Sequence, residues 1–170
     1  MSFYSRKGDK GTSKLIAGKC LPKNDQIFET LGTVDELSAF IGLARSVTET
    51  AELKNKFHII QTVLHRFNAE VANVYSSMSI SDPIHNQDVE QLELWISDYE
   101  QSVQMPEGFT FPGNTLIEST LDICRTVARR AERRLVGLSQ QFPEETALLL
   151  KYLNRLSSFL YIARLTLLQK

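Results

Sequence analysis

The stretch RTVARRAERR, Arg125 to Arg134, sets five arginines and one glutamate in ten positions. On a helix, Arg125, Arg129 and Glu132 fall at i, i+4 and i+7, one stripe beside an apolar seam, while Arg130, Arg133 and Arg134 point further round. One carboxylate cannot neutralise five guanidinium groups, so most of these cations are expected to be free for an anion. The alternative is a solvated face laced with Arg–Glu pairs.

A second cation-rich stretch, SRKGDKGTS, runs from Ser5 to Ser13. Residues 1–25 carry Arg6, Lys7, Lys10, Lys14, Lys19 and Lys23 against Asp9 and Asp25, on a chain whose net charge is -1. Gly8 and Gly11 let the backbone curl and expose N–H groups, and Thr12 and Ser13 add hydroxyls, a composition able to wrap a phosphate chain. It is not a Walker A loop, because no Gly-Lys pair follows either glycine at the required spacing. Read alone it is equally a basic tail. Together, one glycine-bearing segment and one rigid arginine helix look like two jaws of a polyphosphate site. Glu132, set among the arginines, suits Mg²⁺, which takes one or two carboxylates plus phosphate oxygens. The implied ligand is a nucleoside triphosphate.

Other polar positions carry paired readings. Asp35 and Glu36 in GTVDELSAFIG sit mid-helix between apolar neighbours, either as an exposed acidic pair or as a carboxylate that meets an arginine across an interface. Asn154 and Arg155 lie beside the seam residues Leu153 and Leu156, where an amide can read adenine or ribose. Phe109 and Phe111, in the loop GFTFPGN, are core plugs or an apolar wall over a large organic ligand. Trp95 is expected in the core. His58, His65 and His85 form no metal pattern, and the absence of an E-x-x-H pair argues against a ferritin-like dimetal centre.

These residues need a scaffold, and its period is helical. Ile27, Leu31, Val34, Ile41 and Ala44 predict a helix over 25–47, weakened locally by Gly32. Leu53, Phe57, Ile60, Leu64, Phe67, Val71 and Val74 form a second, a strict heptad seam. Val89 to Val103, Ile117 to Leu135 and Leu149 to Leu167 repeat the pattern. Breaks fall at 79–83 and 105–114, and Pro143 before Glu144 and Glu145 marks a helix start. The expectation is an all-α, five-helix bundle with left-handed, heptad-like packing and an irregular N-terminal segment over 1–23, with almost no strand.

The chain has 170 residues, 42% hydrophobic and 23% charged, which suits one globular domain over 1–170. Cys20 and Cys124 make no C-x-x-C pair, and no apolar leader or 20-residue apolar span is present, so a cytoplasmic, complete chain away from membranes is expected. Near-zero net charge without a recognition motif argues against nucleic acid as a partner.

The segments YSRKGDKGTS, KNDQIFETLGTVDELSAFIG, FPGNTL, ICRTVARRAERRLV and YLNRLSSFLYIAR occur in an order and spacing that resembles the PduO-type ATP:cob(I)alamin adenosyltransferases. Only residues 50–105 lack a distinctive match. The resemblance implies a homotrimer that binds ATP, Mg²⁺ and cobalamin between subunits. It assigns Ser5, Arg6, Lys7, Gly8, Ser13, Lys14 and Lys23 to a loop around the triphosphate. Arg129, Arg130, Glu132, Arg133 and Asn154 match the remaining nucleotide and magnesium contacts, with Glu132 on the metal. Asp35 and Arg125 match a carboxylate–arginine pair across the subunit boundary, and Phe109 matches an aromatic in the corrinoid pocket.

The implied reaction moves the 5′-deoxyadenosyl group of ATP to Co(I), with a reductase and an adenosylcobalamin-dependent enzyme as further partners. The absence of a catalytic triad is expected, because Co(I) is itself the nucleophile. Some positions depart from the family: Asp122 stands where a histidine is usual, Ser158 for an aspartate, Asn114 for a glycine and Lys7 for a threonine. The short run after Arg164 leaves little chain for a C-terminal lid. A non-catalytic, nucleotide-dependent corrinoid carrier or sensor on the same scaffold is the alternative.

Overall fold

Five amphipathic helices bury their seams on one another. The computed structural model describes residues 6, 8–16, 18–76 and 79–169. Helices α1 (Gln26–Val47), α2 (Ala51–Asn73), α3 (Asn86–Glu100), α4 (Leu116–Ser139) and α5 (Pro143–Leu168) follow a small hairpin of β1 (Thr12–Lys14) and β2 (Cys20–Pro22).

Local chemistry sets the helix ends. The Asp25 carboxylate accepts from the Ile27 N–H at 3.1 Å and caps α1, and Thr115 Oγ1 accepts from the Glu118 N–H at 3.2 Å at the start of α4. The His85 N–H donates to Asp88 Oδ2 at 2.8 Å in the first turn of α3. Pro143 opens α5, with Glu144 and Glu145 in a first turn that favours negative charge. Gly32 interrupts nothing, since α1 runs through it. By contrast α3 stops at Glu100, short of the apolar run that reached Val103, and the Ser102 N–H turns back to the Tyr99 carbonyl.

α1 packs between α2 and α4, and α5 between α4 and α3. The core joins Ile27, Val34, Leu37 and Ile41 of α1 to Leu121, Ala128 and Leu135 of α4 and Leu149, Leu156 and Leu160 of α5. Because α5 has neighbours on two sides, Tyr152 and Phe159 are buried as well as its heptad seam. Trp95 is in the core, 5.4 Å from the Phe159 ring.

A small hairpin gives part of the N-terminal segment regular structure. β1 pairs antiparallel with β2, Ser13 opposite Leu21. Three-residue strands carry too little alternation to be read locally; the pairing is completed by a turn whose Gly18 has φ of 89° and whose N–H reaches the Leu15 carbonyl at 2.9 Å. Leu15 is buried, and Lys19 Nζ lies 3.4 Å from the centre of the Tyr75 ring, so the arm is docked on the bundle.

Candidate functional site

The α4 arginines divide by the partners that tertiary structure supplies. Arg130 is paired with Glu36 of α1, Arg134 Nη2 with Glu29 Oε2 at 3.1 Å, and Arg125 Nε with Asp122 Oδ1 at 2.9 Å. Most of the arginines are therefore paired, against the expectation from RTVARRAERR alone: α1 brings Glu29 and Glu36 alongside α4, and Asp122, one turn earlier on α4, takes Arg125. Glu36 accordingly is not a free surface acid. Among the described residues, Arg129 and Arg133 have no carboxylate partner, and both are exposed.

Next to these two cations, Asn154 Nδ2 donates to Glu132 Oε1 at 3.0 Å. Asn154 Oδ1 accepts from Arg155 Nη1 at 2.8 Å, and Arg155 Nε in turn donates to Glu93 Oε1 at 2.8 Å. The amide of Asn154 is thus engaged at both ends. It orients Glu132 instead of standing free to read a base. No group of three or more His, Cys, Asp and Glu side chains able to cage a metal occurs among the described residues; Glu132 is a lone carboxylate with one oxygen held.

Arg125 and Arg129 line one cavity of about 280 Å³ between α4 and α5, with Ser157, Ser158 and Tyr161. Arg125 and Tyr161 also border a second cavity, about 310 Å³, whose far wall is Phe109 with Thr110, Asp122 and Arg164. Phe109 is 84% and Phe111 77% exposed, their rings edge to face at 5.4 Å, so neither plugs the core. Arg130, Arg133 and Arg134 line a third cavity with Gln26 and Gly137.

The remaining candidates lie elsewhere. Asp35 accepts from Asn68 Nδ2 at 2.6 Å and lines a cleft of about 430 Å³ between α1 and α2, shared with Lys14 and His65. Ser13 and Lys14 are on β1. Gly8 lies under Lys23, where a Cβ would stand 3.0 Å from Nζ, and the Lys23 N–H donates to the Gly11 carbonyl at 2.8 Å. Arg6 has φ of 56°, and its carbonyl accepts from the Asp9 N–H. Ser5 and Lys7 lie outside the described residues.

A family model described as cobalamin adenosyltransferase matches residues 3–167, nearly the length of the chain. The chain belongs to the cobalamin adenosyltransferase family. Within that family it is 38% identical over 165 residues to the corrinoid adenosyltransferase MMAB of Mus musculus, covering 94% of this chain and 69% of that protein. It is 34% identical over 163 residues to the corrinoid adenosyltransferase of Citrobacter freundii, covering 94% and 90%. A variant of the PduO-type ATP:corrinoid adenosyltransferase from Lactobacillus reuteri, complexed with cobalamin and ATP, superposes with a TM-score of 0.85 at 31% identity, over 96% of this chain and 89% of that one.

Arg164 and Glu118 escaped the reading of the sequence. They form a buried ion pair behind the Phe109 loop. The T-x-x-E pattern from Thr115 to Glu118 was the available signal, yet the Glu118 carboxylate turns outward to the loop: its Oε2 accepts from the Gly113 N–H at 2.9 Å and the Asn114 N–H at 3.3 Å. Asp122 serves as the acceptor for Arg125. No helix among the described residues is long and apolar enough to cross a membrane.

Proposed function

We propose that this chain transfers the 5′-deoxyadenosyl group of ATP to the Co(I) of a reduced corrinoid, giving adenosylcobalamin and triphosphate, at a site completed between subunits of a homotrimer. The observation that carries this reading is the α4–α5 face. There, the unpaired cations Arg129 and Arg133 flank Glu132 in the chain, and Arg125 links the cavity of Arg129 to one walled by an exposed phenylalanine.

Co(I) is the nucleophile. Its electron pair forms the bond to C5′ while the C5′–O bond breaks and its electrons leave with triphosphate, so the protein needs no base or nucleophile of its own. Its tasks are alignment of cobalt, C5′ and the leaving oxygen, and neutralisation of a polyanion with about four negative charges. Arg129 and Arg133, uncommitted to carboxylates, meet the triphosphate most directly. Arg130 can join by releasing Glu36. The arm bearing Arg6, Gly8, Ser13, Lys14 and Lys23, together with Ser5 and Lys7, closes on the phosphates of a neighbouring subunit's nucleotide.

A magnesium ion fits this arrangement. One Glu132 oxygen is oriented by Asn154 and the other is left for a cation, a donor set suited to an ion that takes its remaining ligands from phosphate and water. When bound, Mg²⁺ supplies charge neutralisation on the leaving group. Phe109 presents an apolar surface suited to the lower face of the corrinoid, where exclusion of the axial base makes Co(II) easier to reduce. A reductase would deliver that electron, and an adenosylcobalamin-dependent enzyme would take the product. The free thiols of Cys20 and Cys124 suit a reducing cytoplasm.

The experiment is an anaerobic assay with ATP, Mg²⁺ and chemically reduced cobalamin, following loss of Co(I) absorbance and formation of a light-sensitive cobalt–carbon product. Protein-dependent turnover is expected. ATP binding to a trimer without turnover would replace the transferase with a corrinoid carrier or sensor.

A further inference from the structure

Arg164 is 3% exposed and its partner Glu118 1%, the most deeply buried ion pair among the described residues. Neither lines the cavities that hold Arg129 and Arg133, and Arg164 reaches only the one walled by Phe109. Their bonds run instead to the loop between α3 and α4. Arg164 Nη1 donates to Thr110 Oγ1 at 3.1 Å and Nη2 to the Thr110 carbonyl at 3.3 Å. From the other side, the Gly113 and Asn114 N–H groups donate to Glu118 Oε2. The loop is gripped on both flanks of Phe111, two residues beyond Phe109.

That grip matters because the loop's other tie, Gln104 bonded to Gln169 at 3.1 and 2.6 Å, holds its opposite end. Phe109 and Phe111 project outward and contact each other. A buried ion pair is a poor source of net stability compared with apolar side chains of like volume, since desolvation offsets most of the attraction. This one contributes four directed bonds to a segment without its own core. It also reaches the site: Asp122 Oδ1 lies 3.6 Å from Arg164 Nη1 and accepts from Arg125 Nε at 2.9 Å.

We propose that Arg164 and Glu118 are positioning residues that clamp the 110–114 segment and thereby hold Phe109 against the corrinoid, with Asp122 tying the same clamp to Arg125. The inference rests on the adenosyltransferase reading and on the place given there to Phe109. It also gives a role to the carboxylate at 122, which accepts from Arg125 and stands within ion-pair distance of Arg164.

The test compares wild type, Phe109→Ala, and the double variant Glu118→Leu with Arg164→Met, which removes both charges together so that neither is stranded. Turnover is measured from Co(I), and from Co(II) with free reduced flavin as electron donor. Electron paramagnetic resonance of bound Co(II) cobalamin with ATP reports the fraction that has lost its axial nitrogen. In the double variant, the ratio of Co(II)-started to Co(I)-started turnover should fall on the order of 10- to 100-fold. The base-off fraction should fall with it, amide exchange at Gly113 and Asn114 should accelerate, and adding Phe109→Ala should bring little further loss. Should the double variant not fold, Thr110→Val removes one bond to Arg164 without touching the pair, and its ratio should fall in the same direction.

A folded variant with the wild-type ratio and base-off signal, beside a Phe109→Ala protein that has lost both, overturns the clamp. A Phe109→Ala protein that keeps the wild-type ratio overturns instead the reading of Phe109 and the proposal built on it. Absence of turnover in the wild type overturns the transferase itself.

Discussion

Asp35 and Arg125 face different cavities of the same protomer. The Asp35 carboxylate is held by Asn68 in the cleft between α1 and α2, whereas Arg125 is held by Asp122 between α4 and α5. Glu36, the next residue on α1, already turns toward α4 to meet Arg130, so Asp35 necessarily points away. If these two residues serve one site, they come from two chains.

Subunit complementation follows from that geometry. Asp35→Ala and Arg125→Ala proteins should each lose most activity alone. Co-expressed, they should recover about a quarter of wild-type sites, the share expected for random assembly around a cyclic trimer. Absence of recovery in verified mixed trimers would place both residues in the site of one protomer.

Arg129 has no carboxylate to release before it meets a phosphate. Arg129→Ala should weaken ATP binding by about 1.5–3 kcal/mol, the range for a hydrogen bond to a charged group, with a smaller loss at high ionic strength where screening has already reduced the contact. Calorimetric titration in low and high salt measures both. Unchanged affinity would move the triphosphate elsewhere.

Glu132→Gln retains an oxygen for the Asn154 amide and removes the charge. The fold should persist while the Mg²⁺ concentration required for half-maximal turnover rises several-fold, and chelation should abolish wild-type turnover. A wild-type magnesium titration curve for the variant would show that Glu132 does not serve the metal.

Glu70 supplies a pH dependence away from the site. Burial raises its carboxyl above the ordinary glutamate value, and the Ile84 N–H and the Arg66 charge only partly oppose that. The folded state therefore holds this proton more tightly than the unfolded chain. Stability from the group is full below the unfolded value and is lost as pH rises through the higher folded value. Glu70→Gln keeps a neutral acceptor throughout, so its stability relative to wild type should improve between about pH 4 and pH 7. Urea unfolding at the two pH values measures the difference, and a pH-independent difference would rule out the burial effect.

Much of the architecture was legible because helical periodicity is local. The seam from Leu53 to Val71 announces a helix with one apolar stripe, and five such seams have few ways to bury themselves other than a bundle. Composition was equally local: cations near Gly8 and along α4 state a capacity for a polyanion without any contact being known. The hairpin was not legible, since three residues cannot establish an alternating period, and it depends on Leu15 and Lys19 finding the bundle.

What the amino-acid sequence determined by itself was the set of five helices, the family, and the residue types available for binding a nucleotide. Only the tertiary structure decided which of those residues are free. Glu36 and Arg130 are 94 residues apart and Glu118 and Arg164 are 46 apart, yet each pair is closed by helix packing. The physical reason is that ionic pairing depends on distance and burial, which a folded chain sets between segments remote in sequence. A run of arginines therefore states a capacity for anions, and the neighbouring helices decide that Arg129 and Arg133 keep it uncommitted while Arg164 is drawn into the interior.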